Sequence, residues 1–179
     1  MKLEADRSVL LVVDIQKRLA PSIAGAAGAI DRTKRLIRGA VHFGVPVLAT
    51  EQAPGSIGGT VSEIEELLPA PALAKTHFDA TLEPEILHAL AETGRDMVIL
   101  AGMEAHVCVL QTALGALGHG YHAHLCADAI GSRDPANRDR AVARFDSSGG
   151  GVVTSEMVLF EWLGRSDRPE FKPVLELIK

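Results

Sequence analysis

Three residues that can do chemistry follow short apolar runs of this sequence. Cys108 comes after the run 96–102 and a short turn, while Asp14 and Lys75 each end another apolar run. A thiol, a carboxylate and an ammonium group are the parts that nucleophilic catalysis needs. The helix predicted after Cys108 would add the positive end of its peptide dipoles, so we expect this thiol to favour the thiolate.

The three groups suggest a division of labour. A free thiol has a pKa of about 8.5, so at neutral pH it needs a nearby cation or base. Lys75 would supply the positive charge, and Asp14 would take the thiol proton, pass it to a leaving amine and later activate water. Backbone N–H groups between Glu104 and Cys108 would stabilise the resulting oxyanion, at about 3 kcal/mol for one donor.

Each residue also has a structural interpretation. An apolar-flanked cysteine is commonly inert core, as we expect of Cys126, and an aspartate that ends a parallel strand commonly caps a loop. A lysine in a loop is commonly solvated. Catalysis is favoured because three complementary groups fall on one predicted rim of a sheet.

The elements that position these groups alternate along the chain. The apolar runs are short and rich in Val, Ile, Leu and Ala, as in parallel strands covered on both faces. Strands are predicted at about 8–14, 45–50, 72–75, 96–102, 121–127 and 150–154, and helices at about 29–43, 60–68, 83–94, 107–119, 135–148, 155–164 and within 168–179. This pattern predicts a single α/β domain over residues 1–179. It would be three-layered and doubly wound, with a six-stranded, mainly parallel sheet in the order 3-2-1-4-5-6 and helices on both faces.

That strand order explains why the three groups would meet. Strands 1 and 4 are neighbours at the point where the order reverses, which is where a crevice opens. Asp14 ends strand 1 and Cys108 follows strand 4, so both would line one cleft. Lys75 follows strand 3 on the same rim, and its long side chain would reach inward.

These residues resemble the isochorismatase-like cysteine hydrolases, a family that includes nicotinamidases and N-carbamoylsarcosine amidases. The resemblance covers nearly the whole chain, and in particular it is to isochorismatase domain-containing proteins of unassigned substrate. The matching segments are 12–16 (Val-Val-Asp-Ile-Gln), 50–52 (Thr-Glu-Gln), 75–78 (Lys-Thr-His-Phe), 102–109 (Gly-Met-Glu-Ala-His-Val-Cys-Val), 111–113, 127–129, 132–133 and 169–173.

The resemblance implies a catalytic triad of Asp14, Lys75 and Cys108. It also implies a cis peptide bond between Met103 and Glu104, which would present the Glu104 N–H to the oxyanion beside that of Cys108. Family members typically form dimers or larger symmetric oligomers, so we expect a homo-oligomer.

The chain departs from the metal-binding nicotinamidases. Those carry an Asp-x-His pair with further histidines after strand 2, whereas residues 50–56 here contain no histidine. We therefore expect no metal and no cofactor. True isochorismatases cleave a vinyl ether without the cysteine, so Cys108 favours hydrolysis of a C–N, amide-type bond through a thioester.

Five further residues are candidates for the wall of a substrate pocket. Four lie within three residues of a reactive group, and the fifth, Gln52, is a polar residue just after strand 2. The five are Gln16, Gln52, His77, Phe78 and His106.

Two alternatives to a hydrolase remain open. The chain is then either a non-catalytic binding or scaffold protein of the same fold, or a redox sensor that uses an activated Cys108. Replacement of Asp14 by Asn separates them, since a hydrolase would lose turnover while peroxide sensing would depend mainly on Lys75.

Composition limits the partners. A net charge of −5 and the lack of a Lys/Arg cluster argue against nucleic acid, and the apolar runs are too short to span a bilayer. The N-terminal residues do not resemble a signal peptide, and two cysteines make no disulfide framework. We therefore expect a cytoplasmic protein that acts on a small molecule.

Overall fold

The structure, a computed structural model, describes residues 1–179 and is organised around a six-stranded sheet. The strands are β1 (Ser8–Val13), β2 (Val47–Gln52), β3 (Leu73–Lys75), β4 (Met97–Met103), β5 (His122–Gly131) and β6 (Gly151–Val153). All neighbouring strands pair in parallel, in the order β3-β2-β1-β4-β5-β6. The predicted fold class and strand order are confirmed.

Helices cover the sheet. They are α1 (Ala26–Phe43), α2 (Pro54–Ile57), α3 (Ser62–Glu65), α4 (Pro84–Glu92), α5 (Leu110–Gly118), α6 (Pro135–Ser147), α7 (Ser155–Leu163) and α8 (Phe171–Ile178). Short 3-10 turns at Ala5–Arg7, Ala20–Ser22 and Ala80–Leu82 and a π-helical turn at Ala105–Val109 complete the elements. None of the helices combines the length and the apolar character that crossing a bilayer requires.

The central strand β1 shows why this sequence forms a parallel sheet. Every residue from Ser8 to Val13 is buried. Leu10 and Val12 pack into the core that α1, α7 and α8 cover, while Val9 and Val13 pack into the core on the opposite face. A strand buried on both faces cannot alternate apolar and polar residues, which explains the continuous apolar run in the sequence.

The sheet brings the ends of β1 and β4 together. Val13 is paired with Gly102, and Gly102 has a φ of 134°. A side chain at this position would collide with the backbone of Val13. Glycine is therefore required where the two strands leave the sheet towards Asp14 and Cys108.

Three predicted elements differ from those observed. The helix expected at 60–68 is the single turn α3, and the helix expected at 107–119 begins only at Leu110, after the π-helical turn. β5 continues to Gly131 because its pairing with β4 shifts register between Leu100 and Gly102 and then resumes. This extension carries Ser132 and Arg133 to the same rim as Cys108.

Candidate active site

A buried ion pair lies at the ends of β1 and β3. The Nζ of Lys75 is 2.7 Å from the Oδ2 of Asp14, and both side chains are fully buried. A buried ion pair stabilises a protein little, because desolvation of both charges opposes their attraction. Its presence at the carboxyl edge of the sheet therefore points to a function rather than to stability.

The end of β2 holds both members of this pair. The hydroxyl of Thr50 donates to Asp14 Oδ1 at 2.8 Å. Lys75 Nζ donates to Gln52 Oε1 at 2.7 Å and to the carbonyl of His77 at 3.2 Å. Because side chains on one strand face recur every second residue, Thr50 and Gln52 serve the two charges from the same strand.

The second oxygen of Asp14 is an exception to the usual pairing of buried polar atoms. Oδ2 is the one buried side-chain N or O atom without a hydrogen-bond partner, although Lys75 Nζ is only 2.7 Å away. The two observations agree if the contact is an attraction of charges whose angles do not suit a directed hydrogen bond. A buried oxygen with a free lone pair is rare and is typical of reactive sites.

Cys108 lies in the π-helical turn between β4 and α5 and is 6% exposed. The peptide bond between Met103 and Glu104, just before this turn begins, is cis. The Glu104 carbonyl accepts two N–H groups of this turn, whereas the Glu104 N–H donates to no group of the chain. A free N–H near the thiol is the type of donor that stabilises an oxyanion.

The expectation of a resting thiolate is wrong. Burial, and next the negative charge of Asp14, raise the pKa of Cys108 to about 12, against an opposing effect of the Lys75 ammonium group. The charges of Asp14 and Lys75 therefore both affect the pKa of Cys108, and the thiol is protonated at neutral pH. Reaction at this site requires a base that removes the proton as the sulfur attacks.

The loop after β5 is attached to the turn that carries the thiol. The backbone N–H of Arg133 donates to Glu104 Oε2 at 2.9 Å, and its Nε lies 3.1 Å from the same oxygen. His106 Nδ1 lies 2.9 Å from Ser132 Oγ. These contacts attach the side chains of Glu104 and His106 to a segment that lies 29 residues beyond Glu104 in the chain.

The predicted pocket residues divide into two groups. Gln16 is fully buried, and its amide is bound to the backbone of Gln52 and to the carbonyl of Gly58, so the structure does not place it on a pocket wall. Gln52 contacts Lys75 and is 9% exposed.

The other three predicted pocket residues lie nearer the surface. Phe78 is 51% exposed, and the side chain of His77 is 54% exposed and bound to Glu83 at 2.9 Å. His106 is half-buried. These side chains surround the rim, while Gln16 and Gln52 lie beneath it.

The three reactive groups do not line the cavity beside α1. This cavity, of about 520 Å³, lies between α1 and residues 61–63. The buried cluster is therefore the candidate active site, because it holds complementary reactive groups and the cavity does not.

Sequence reasoning missed Thr50, Ser132 and Arg133 as parts of the site. Thr50 and Gln52 lie in the segment 50–52, and the two-residue period of the strand was the available signal. Segment 132–133 resembled the family, but the contact of Arg133 with Glu104 was not predictable, because it depends on the extension of β5.

Comparison with known proteins gives one family. Residues 8–157 match the sequence profile of the isochorismatase domain. Isochorismatase domain-containing protein 1 of Danio rerio is 38% identical over 173 residues, which cover 96% of this chain and 61% of that protein. The chain thus spans less than two thirds of the length of that relative.

Solved structures agree. The MAR1 ribonuclease of Caenorhabditis elegans has a TM-score of 0.93 at 35% identity, covering 99% of this chain and 92% of that one. YcaC of Pseudomonas aeruginosa, solved with covalent acrylamide, has a TM-score of 0.91 at 26% identity, with 98% and 91% covered. YcaC of Escherichia coli, described as an octameric hydrolase of unknown specificity, has a TM-score of 0.93 at 24% identity, with 99% and 89% covered. These three structures share the fold of this chain over nearly its whole length.

Proposed function

Since the chain belongs to the isochorismatase family, we propose that it is a cysteine hydrolase that cleaves a C–N, amide-type bond of a small molecule. Asp14, Lys75 and Cys108 form its catalytic triad. The observation that carries this proposal is the fully buried pair of Asp14 and Lys75, 2.7 Å apart, whose charges both act on the thiol of Cys108.

In the first half of the reaction the sulfur of Cys108 attacks the substrate carbonyl carbon while Asp14 takes the thiol proton. The thiol needs this transfer because its pKa is raised to about 12. The ammonium group of Lys75, 2.7 Å from Asp14, balances the negative charge that the sulfur brings into the site. The N–H groups of Glu104 and Cys108 stabilise the oxyanion, at about 3 kcal/mol for one donor.

In the second half the C–N bond breaks and Asp14 gives its proton to the leaving amine. A thioester then joins the acyl group to Cys108. Asp14, again a carboxylate, takes a proton from water as the water attacks the thioester, and the thiol leaves with that proton. The products are a carboxylic acid and an amine, and the enzyme returns to its starting state.

A panel of small primary amides, assayed for ammonia release, tests the proposal. We expect at least one amide to be hydrolysed, Cys108→Ala to lower the rate by about 10³-fold or more, and Cys126→Ala to retain it. Circular dichroism and thermal unfolding verify that both variants fold. Hydrolysis by Cys108→Ala at the wild-type rate would refute the nucleophile.

RNA is the contrasting substrate, because one similar protein is called a ribonuclease. We favour small amides, since the chain carries a net charge of −5 and the reactive cluster holds a carboxylate that would repel phosphate. Single-stranded RNA belongs in the same panel. Cleavage of RNA that is lost in Cys108→Ala, without hydrolysis of any amide, would replace the proposed substrate class.

A redox sensor fits the site less well than a hydrolase. Reaction with peroxide requires a thiolate, and the raised pKa of Cys108 keeps the resting thiol protonated. Cys126 belongs to the core on the opposite face of the sheet. A non-catalytic scaffold role leaves the unpartnered Asp14 oxygen without a purpose.

We also propose a homo-oligomer. One similar structure is described as octameric, and near the rim Phe78 and Leu82 are 51% and 57% exposed. Light scattering coupled to size exclusion measures the mass directly, and a mass of 19.0 kDa would mean a monomer and contradict this proposal.

A further inference from the structure

The ammonium group of Lys75 is held from one side by an uncharged amide. We propose that Gln52 is a positioning residue, which holds the Lys75 ammonium group directed at Asp14. This inference rests on the proposed function and assigns a role to a residue outside the triad. Gln52 Oε1 accepts from Lys75 Nζ at 2.7 Å, and both side chains lie beneath the rim.

Three acceptors surround Lys75 Nζ. They are Gln52 Oε1 at 2.7 Å, the His77 carbonyl at 3.2 Å and Asp14 Oδ2 at 2.7 Å. Two of its three N–H bonds are thus taken up by hydrogen bonds to Gln52 and His77, while Asp14 attracts the ammonium group by charge. Removal of the Gln52 oxygen leaves a buried N–H without its acceptor, so the position of the ammonium group is less well defined.

Gln52 can act as an anchor because its own atoms are fixed. Its backbone N–H donates to Gln16 Oε1 at 2.8 Å, its carbonyl accepts from Gln16 Nε2 at 3.0 Å, and its Nε2 donates to the Thr76 carbonyl at 2.8 Å. With Nε2 committed to Thr76, the amide oxygen is directed at Lys75. Gln16, which sequence analysis assigned to the pocket, thus supports the anchor from behind.

The effect on the thiol follows from charge. A well-placed ammonium group favours the thiolate, since Lys75 lowers the pKa of Cys108 against burial and Asp14. If the Gln52 side chain is replaced, the Lys75 ammonium group loses one acceptor and is less precisely placed beside Asp14. The thiolate of Cys108 should then form at higher pH, while Cys126, on the other face of the sheet, should not respond.

A purely structural role is the alternative. Gln52 also binds Thr76 and Gln16, and the loss of these bonds would disturb the end of β2. The two roles differ in one respect: an effect transmitted through Lys75 disappears when Lys75 carries no charge, whereas a structural disturbance persists.

The experiment is a mutant cycle on the full chain, read by alkylation with iodoacetamide across pH 8 to 10.5 and quantified for each cysteine by mass spectrometry. Gln52→Met removes the acceptor at nearly constant volume. We expect Cys108 to react about 10-fold more slowly at pH 9, as for a pKa shift of about one unit, with Cys126 unchanged. In the Asp14→Asn/Lys75→Met background, Gln52→Met should change the rate less than about twofold.

Two results would overturn the inference: an unchanged Cys108 profile in Gln52→Met, or an equal slowing in the background without Lys75. If Gln52→Met does not fold, Gln52→Asn repeats the cycle, because its shorter side chain withdraws the oxygen but stays polar. No substrate is needed. A failed amide screen, or hydrolysis by Cys108→Ala, would therefore refute the proposed hydrolase and leave the role of Gln52 unaffected. An unchanged alkylation profile in Gln52→Met would refute the role of Gln52 and leave the proposed hydrolase unaffected.

Discussion

The two cysteines of the chain are both buried, but they lie on opposite faces of the sheet beside different partners. Cys126 donates its S–H to Asp128 Oδ1 at 3.2 Å, and burial and Asp128 raise its pKa. Cys108 is also near a carboxylate, that of Asp14, and its pKa is raised to about 12 for the same two reasons. Acidity alone does not distinguish a reactive thiol from a core thiol here.

The difference lies in what surrounds each carboxylate. Asp128 is occupied, because it accepts both the backbone N–H and the hydroxyl of Ser155. Asp14 keeps one oxygen without a hydrogen bond and has a buried ammonium group beside it. The cation beside Asp14 is fully buried at 2.7 Å, whereas the cation beside Asp128 is the partly exposed Arg32 at 3.7 Å. The two cysteine sites thus differ in the burial and closeness of the charge that balances the carboxylate.

Removal of the free acceptor should have the largest effect. Asp14→Asn deletes the base, and we expect hydrolysis to fall by about 10³-fold. Alkylation of Cys108 should become faster, because the lost negative charge had raised the thiol pKa. Asp128→Asn is the matched control at Cys126 and should leave hydrolysis unchanged. Slower alkylation in Asp14→Asn would contradict the assigned electrostatics.

Removal of the cation should mainly affect stability. Lys75→Met leaves a buried carboxylate unpaired, which costs about 3–5 kcal/mol, measured by urea unfolding at pH 7. Alkylation of Cys108 should slow, with Cys126 as the internal reference. The double variant Asp14→Asn/Lys75→Met removes both charges and should recover part of the stability. Equal stability of wild type and Lys75→Met would mean that the pair is not buried in solution.

The smallest expected effect concerns Cys126 and alkaline pH. A thiol whose pKa is raised by folding stabilises the folded state below its unfolded pKa of about 8.5, and this contribution is lost as pH rises towards the folded value. The free energy of unfolding should therefore fall above pH 9, by up to about 1.4 kcal/mol per pH unit for each buried thiol. Cys126→Ala should show a shallower fall, and an identical slope would show that Cys126 does not contribute.

Much of the site was accessible from the sequence because strand ends are local features. Asp14, Lys75 and Cys108 each follow an apolar run, and the strand order that the alternation predicts places them on one rim. The pocket residues were harder, since closeness in sequence gives no information about direction. Gln16 follows Asp14 by two residues, yet its side chain is buried and forms hydrogen bonds to the backbone of Gln52 and Gly58.

The sequence by itself determined the parallel sheet, its order and the three reactive groups, because these depend on periodicity and on the handedness of crossovers. Only the tertiary structure decided the chemical state of the groups. The protonated thiol results from burial in the core and from the negative charge of Asp14. The anchor of Lys75 and the link between Glu104 and Arg133 join residues 23 and 29 positions apart. Contacts between residues so far apart in sequence cannot be predicted from a local pattern. The alternation of side chains along a strand, by contrast, repeats every two residues and can be predicted from the sequence.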